Sequence, residues 1–322
     1  NVTYLPSYAA TAWYHNRLPN RPATLEPFLS EVRAFALGPY LSALAKGDDL
    51  PDGERDAIAT QLAAYTGLSK GFILQNKLRI DLGRARPSTQ SVTVVVTYSC
   101  TPRRGLYFNR PEAAYPDRPL QIWTQGQAED SPHYFPCLDI PGEKSTFEVL
   151  ATVPDGWFAL SNGRLVDTKR AGRRGITYHW RQDVPHSAYL VTLAAGEFEV
   201  VDDDADGVPV QYYGAPGSAD DLVRAFGRTP EMVRFFSDRI GVPYPYDKYA
   251  TVAIHDFIFG GMENIAATTL LDLVLTDEPE LEWDPDELIV HELAHQWFGD
   301  LVTCRSWAHG WPSRASFPSA PS

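Results

Sequence analysis

The sequence predicts a multidomain α+β chain: an N-terminal helical segment, an antiparallel β domain, and a mixed α/β part that carries a metal-binding motif. Three observations lead there. The spacing of apolar residues changes from helical to strand-like near residue 90. The charge balance changes at the same place, residues 1–86 having a net +2 and residues 87–322 a net −15. Finally, an H-E-x-x-H run lies on a helix near the end. With 322 residues, 44% of them apolar and 21% charged, the chain is long enough for two domains and part of a third. A net charge of −13 argues against a nucleic-acid partner, which would need a basic face. No apolar run approaches membrane-spanning length. The first residue is Asn1 and the only methionines are Met232 and Met262, so the chain reads as a fragment or a processed product with no legible address. Three widely spaced cysteines, Cys100, Cys137 and Cys304, suit neither a disulfide framework nor a cysteine zinc site.

Taken in order, residues 1–83 form the helical segment. Tyr8, Trp13 and Tyr14 mark a first stretch that Pro19 and Pro22 break. Phe28, Leu29, Val32, Phe35 and Ala36 follow at helical spacing, then helices over Glu54–Tyr65 and Ser69–Ile80. Residues 84–90 read as a junction. Residues 91–202 form the β domain, with strands expected at Val92–Tyr98, Leu120–Thr124, Thr146–Val153, Ile176–Arg181 and Tyr189–Val201. The Asp202-Asp203-Asp204 run reads as a solvated turn, since EF-hand spacing is absent. Residues 203–311 form the last part, with a helix over Asp220–Ile240, a strand over Tyr249–Asp256 and a helix over Asp284–Asp300. Asp284 is the expected N-cap of that helix, Pro285 its first residue, and Asp286 and Glu287 its acidic first turn. Residues 312–322, rich in Ser, Pro and Ala, read as a non-globular tail.

His291-Glu292-Leu293-Ala294-His295 carries the chemistry. Two histidines at i and i+4 share one helix face, so both rings can reach one Zn2+ ion, and Glu292 can take a proton from metal-bound water. The competing reading is two packed histidines beside a surface glutamate. Gly260-Gly261-Met262-Glu263-Asn264 follows an apolar run. A glycine pair admits a close backbone approach, so an extended peptide could pair with such an edge strand, and Glu263 would suit a free α-ammonium at its end. Glycine pairs also mark bulges and tight turns.

Together these motifs resemble the zinc aminopeptidases of the aminopeptidase N and leukotriene hydrolase type. A third match is Gln125-Gly126-Gln127-Ala128, continuing to Phe135-Pro136-Cys137-Leu138-Asp139 and Lys144. The resemblance covers about residues 91–311. It implies an incomplete N-terminal β domain followed by a truncated thermolysin-like catalytic domain acting on peptides with a free N-terminus. It also implies that His291 and His295 ligate Zn2+ and that Glu292 is the general base. Glu263 and Gln127 would hold the substrate's amino terminus with Gln125 nearby, while the backbone of Gly260, Gly261, Met262 and Asn264 would align the peptide. The sequence departs from the family at the third ligand. The family places a glutamate after the second histidine with eighteen residues between them, where this chain has Arg314, and a guanidinium has no lone pair to give a metal.

Residues 1–83 instead resemble the helical cap of bacterial serine carboxypeptidase-like proteins, through Tyr4–His15, Tyr65–Ser69 and Leu78–Ile80. Gly67-Leu68-Ser69-Lys70-Gly71 fits G-x-S-x-G, but a helix precedes it where a strand is required, so Ser69 reads as an N-cap and His15 as a packed histidine. The leading expectation is therefore a zinc aminopeptidase fragment lacking its third ligand. The alternatives are a non-catalytic peptide-binding fragment or pseudo-enzyme, and a carboxypeptidase-like serine hydrolase.

Overall fold

The computed structural model describes residue 87 and residues 89–276 and 285–307. The chain divides into two compact units, residues 1–94 and 95–322. The helices expected in residues 1–83, most of the 84–90 junction, Asp284 and the 312–322 tail lie outside the described residues.

The described part of the second unit is mostly strand, with three α-helices. The strands are β1 (Leu106–Asn109), β2 (Gln121–Thr124), β3 (Lys144–Val153), β4 (Phe158–Ser161), β5 (Arg164–Arg170), β6 (Ile176–Ser187), β7 (Leu193–Gly196), β8 (Glu199–Ala205), β9 (Val208–Gly214), β10 (Tyr249–Ile254), β11 (Gly261–Met262) and β12 (Ala267–Leu271). The helices are α1 (Ala219–Phe226), α2 (Thr229–Ile240) and α3 (Pro285–His295). They build three sheets, ordered β1-β2-β7-β4, β3-β6-β5 and β11-β12-β10-β9-β8. The first two are antiparallel throughout.

The third sheet sets the site. All six residues of β10 are buried, and β10 runs parallel to both β9 and β12. A central parallel strand covered on both faces reads as a continuous apolar run rather than an alternating one. β11 is a two-residue edge strand, antiparallel to β12, with Gly261 opposite Leu270 and Met262 opposite Thr269. The glycine-bearing edge strand expected from the sequence is thus present. At the opposite edge, the Asp202–Asp204 run lies inside β8 and is exposed. The expected turn is displaced to Asp206-Gly207, both at positive φ, and the charges occupy a sheet edge that charge protects from further pairing.

Four other expectations are corrected. Val92–Tyr98 is exposed and irregular: β propensity makes a strand only where a partner completes the ladder. Tyr189–Val201 is broken into the 3-10 turn Ala188–Leu190, β7 and the start of β8. The 220–240 helix is two helices, interrupted at Gly227 and restarted at Pro230 in the first turn of α2. α3 stops at His295 rather than Asp300. Beyond it the amides of Asp300, Leu301 and Val302 reach back five residues to the carbonyls of His295, Gln296 and Trp297, and Gly299 adopts φ 136°.

One hydrophobic core, from Trp123 and Trp180 through Tyr212 to Leu293 and Trp297, joins these sheets and helices. Lys248, buried between them, donates to the carbonyls of Ser161 (3.0 Å) and Ala266 (2.9 Å) and lies 4.8 Å over the Trp180 ring.

Candidate active site

β11, the turn after it, the end of β2 and α3 bring the sequence-predicted residues together. The Nε2 atoms of His291 and His295 face each other at 3.0 Å. Nδ1 of His295 donates to the Phe298 carbonyl at 2.9 Å, which leaves the Nε2 lone pair for an acceptor role. Burial, then the neighbouring His295, pushes the His291 pKa down, favouring the neutral ring that a metal requires.

Glu292 is buried on the same helix, with Oε2 lacking a hydrogen-bond partner. Its pKa lies well above the ordinary carboxylate value because of burial first and the nearby Glu263 second. Glu263 is buried as well. Burial raises its pKa, and the neighbouring His295 opposes that shift. Gln127 donates to Glu263 Oε1 at 3.3 Å, so the two proposed amine-binding residues are in contact. Gln125 is buried, with Nε2 3.1 Å from the Met262 sulfur and Oε1 unpartnered. Between these glutamines, Gly126 leaves no room for a side chain, since a Cβ there would be 2.6 Å from Ser131 Oγ and closer still to the Tyr189 carbonyl. Asn264 is buried and donates to Thr269 Oγ1 at 3.2 Å. Gly260 has φ 81°, a backbone shape that favours glycine.

Reading the motifs alone missed Gln296 and its bond to Asp300. Both residues are fully buried, and Gln296 Nε2 donates to Asp300 Oδ2 at 3.0 Å. Burial and Glu263 raise the Asp300 pKa well above its ordinary value. The available signal was a polar residue directly after the motif, on a stretch otherwise apolar. Lys144, which the sequence singled out, donates to the carbonyls of Asp300 (2.8 Å) and Leu301 (3.0 Å) and so fixes the turn after α3.

Three buried carboxyl groups, Glu263, Glu292 and Asp300, thus crowd one region where burial opposes their ionisation. Such a site favours a cation, whether a metal ion or an ammonium group. The converging imidazoles fit two positions of a zinc shell. Among the described residues no cluster of three His, Cys, Asp or Glu side chains completes it, and Arg314 lies outside them. A separate cleft of about 370 Å³, lined by Trp180, Tyr213 and Lys248 among others, contains none of the predicted site residues.

Comparison with known proteins gives the same order of parts. Residues 71–190 match the peptidase M1 N-terminal domain and residues 224–313 the peptidase family M1 domain. The first match begins inside the 1–83 segment, whose carboxypeptidase-like resemblance lies outside the described residues. Aminopeptidase N of Acetobacter pasteurianus is 31% identical over 240 residues, covering 70% of this chain and 66% of that protein. Aminopeptidase M1 of Arabidopsis thaliana is 34% identical over 194 residues, 58% of this chain and 22% of the plant protein. The alanine/arginine aminopeptidase of Saccharomyces cerevisiae matches at 34% over 194 residues, again 22% of its length. The chain therefore spans between about a fifth and two thirds of these relatives. With both family domains matched in order along it, the chain belongs to the aminopeptidase N family of M1 peptidases.

Proposed function

We propose that the protein to which this chain corresponds is a zinc-dependent aminopeptidase that removes N-terminal residues from peptides. The observation that carries this reading is the contact between Gln127 and the buried Glu263 beside an edge strand, with Glu292 of the histidine-bearing helix packed against that strand. A buried carboxylate at the end of a groove selects a free α-ammonium, because an acylated amine brings no charge to offset its burial.

In this reading the peptide backbone lies along β11, where Gly261 presents unpaired edge groups and no side chain. Glu263 and Gln127 fix the amino terminus and so set which peptide bond reaches the histidines. His291 and His295 would hold the zinc ion, which when bound acidifies water and polarises a carbonyl. Glu292 accepts the water proton at Oε2, the atom without a partner, and returns it to the leaving amine. The low-dielectric surroundings of Glu292 strengthen each of these interactions.

A peptide-binding module without turnover is the second reading, favoured by the absence of a third ligand among the described residues. The test is hydrolysis of an amino-acid arylamide by the 322-residue chain with zinc in excess. Turnover that Glu292→Gln abolishes supports the enzyme. Peptide binding without turnover selects the second reading, and turnover that survives Glu292→Gln overturns the role given to that residue.

A further inference from the structure

Gln296 is fully buried at the position directly after the second histidine, and every valence of its carboxamide is used. Oε1 accepts from the Tyr244 hydroxyl (3.1 Å) and the Ala266 amide (3.0 Å). Nε2 donates to the Glu263 carbonyl (3.1 Å) and to Asp300 Oδ2 (3.0 Å). The turn after β11 is Asn264–Ala267, closed by the Ala267 amide donating to the Asn264 carbonyl at 3.0 Å, so Glu263 lies directly before it and Ala266 is its third residue. The carboxamide of Gln296 ties the Glu263 carbonyl, before this turn, to the Ala266 amide within it. Ala266, at φ 60°, has an uncommon conformation for a residue with a Cβ, and its carbonyl is held by Lys248 and by the Ala250 amide. A strained turn persists only where its surroundings over-determine it.

We propose that Gln296 is the positioning residue that couples the histidine helix to the amine-recognition turn, fixing the backbone of Glu263 so that its carboxylate meets a free α-ammonium. This rests on the reading of Glu263 as the amine anchor. The geometry is specific to an amide. A carboxylate lacks the two donors, and an apolar side chain lacks all four partners. Because Gln296 follows His295 directly, any tilt of α3 is transmitted to the 263–266 segment through two hydrogen bonds.

The test compares L-leucinamide with N-acetyl-L-leucinamide by titration of the 322-residue chain, alongside zinc affinity. The wild type is expected to favour the free amine at least tenfold, and Glu263→Gln to abolish that preference. In Gln296→Met the preference should fall below threefold, with zinc affinity within threefold of wild type. Tyr244→Phe removes one hydroxyl from the bridge and should show a smaller loss in the same direction, which keeps the test available if Gln296→Met does not fold. Wild-type discrimination in Gln296→Met, or in Tyr244→Phe where only that variant folds, overturns the proposal. So do equal losses for both ligands or a parallel loss of zinc, which signify general loosening. No discrimination in the wild type itself overturns the reading of Glu263 and the proposal built on it.

Discussion

Gly261 on β11 and Glu292 on α3 meet with no space for a side chain between them: a Cβ on Gly261 would lie 2.7 Å from the Glu292 Cδ and 3.0 Å from its Cγ. The edge strand and the helix thus touch through a glycine, and the carboxylate is pressed against the backbone along which a peptide would lie. Gly261→Ala should displace Glu292 and cost about 1–3 kcal/mol of stability through overpacking. Gly260→Ala supplies the control. That site has open space but φ 81°, so the expected cost is about 1–2 kcal/mol of backbone strain with the carboxylate unmoved. Arylamide turnover in excess zinc should therefore fall much further in Gly261→Ala. Equal losses in the two variants would mean that the contact is not felt.

Zinc retention follows from the donor set. Two imidazoles from one helix supply half of a tetrahedral shell, where catalytic sites of this type use three protein ligands. The chain should lose zinc on dialysis yet bind it when zinc is in excess, and His295→Ala should remove the remaining affinity. Metal analysis after dialysis reads this directly. Stoichiometric zinc would show that a third side chain completes the site.

Burial lowers the His186 pKa to about 4 from 6.5, so the folded chain keeps this ring neutral where the unfolded chain protonates it. The unfolded state binds more protons between those values, and stability is lost as the pH falls from about 6.5 to about 4. His186→Phe keeps a ring against Phe147, whose centroid lies 4.6 Å away, and removes the titrating group. Relative to wild type, the variant should gain about 3 kcal/mol across that window. Urea unfolding at pH 7 and pH 4.5 measures the difference, and a pH-independent gap would refute the assignment.

The parts legible in the sequence were those encoded locally. H-E-x-x-H sets its own spacing on a helix, and the buried β10 announces itself by five consecutive non-polar or β-branched residues after Tyr249. The short strands β1 and β4 are stabilised by neighbours distant in sequence, so nothing in four residues distinguishes them from loop. Val92–Tyr98 shows the converse: strong β propensity without a partner leaves an exposed, irregular segment. The role of Gln296 was hidden for the same reason. Its four partners come from residues 244, 263, 266 and 300, and only the fold assembles them.

Lys248 offers the last prediction, with the same pH sense as His186 but in an alkaline range. Burial lowers its pKa to about 7 from 10.5, although Asp247 favours the charged form, as do its two carbonyl acceptors and the face of Trp180. Between pH 7 and 10.5 the unfolded state carries the proton more often than the folded state, so wild-type stability rises with pH across that range. Lys248→Met preserves the stem and abolishes this slope. It also removes the donor to Ser161 and Ala266, at a cost of about 1–3 kcal/mol for buried acceptors left without it. The penalty of the substitution should therefore grow as pH rises from 7 to 9.5, because only the wild type is relieved of a buried charge. Chemical denaturation of both proteins at the two pH values tests this. A penalty that stays constant would mean that the two carbonyls and the indole ring keep the ammonium charged throughout, and that burial does not govern this lysine.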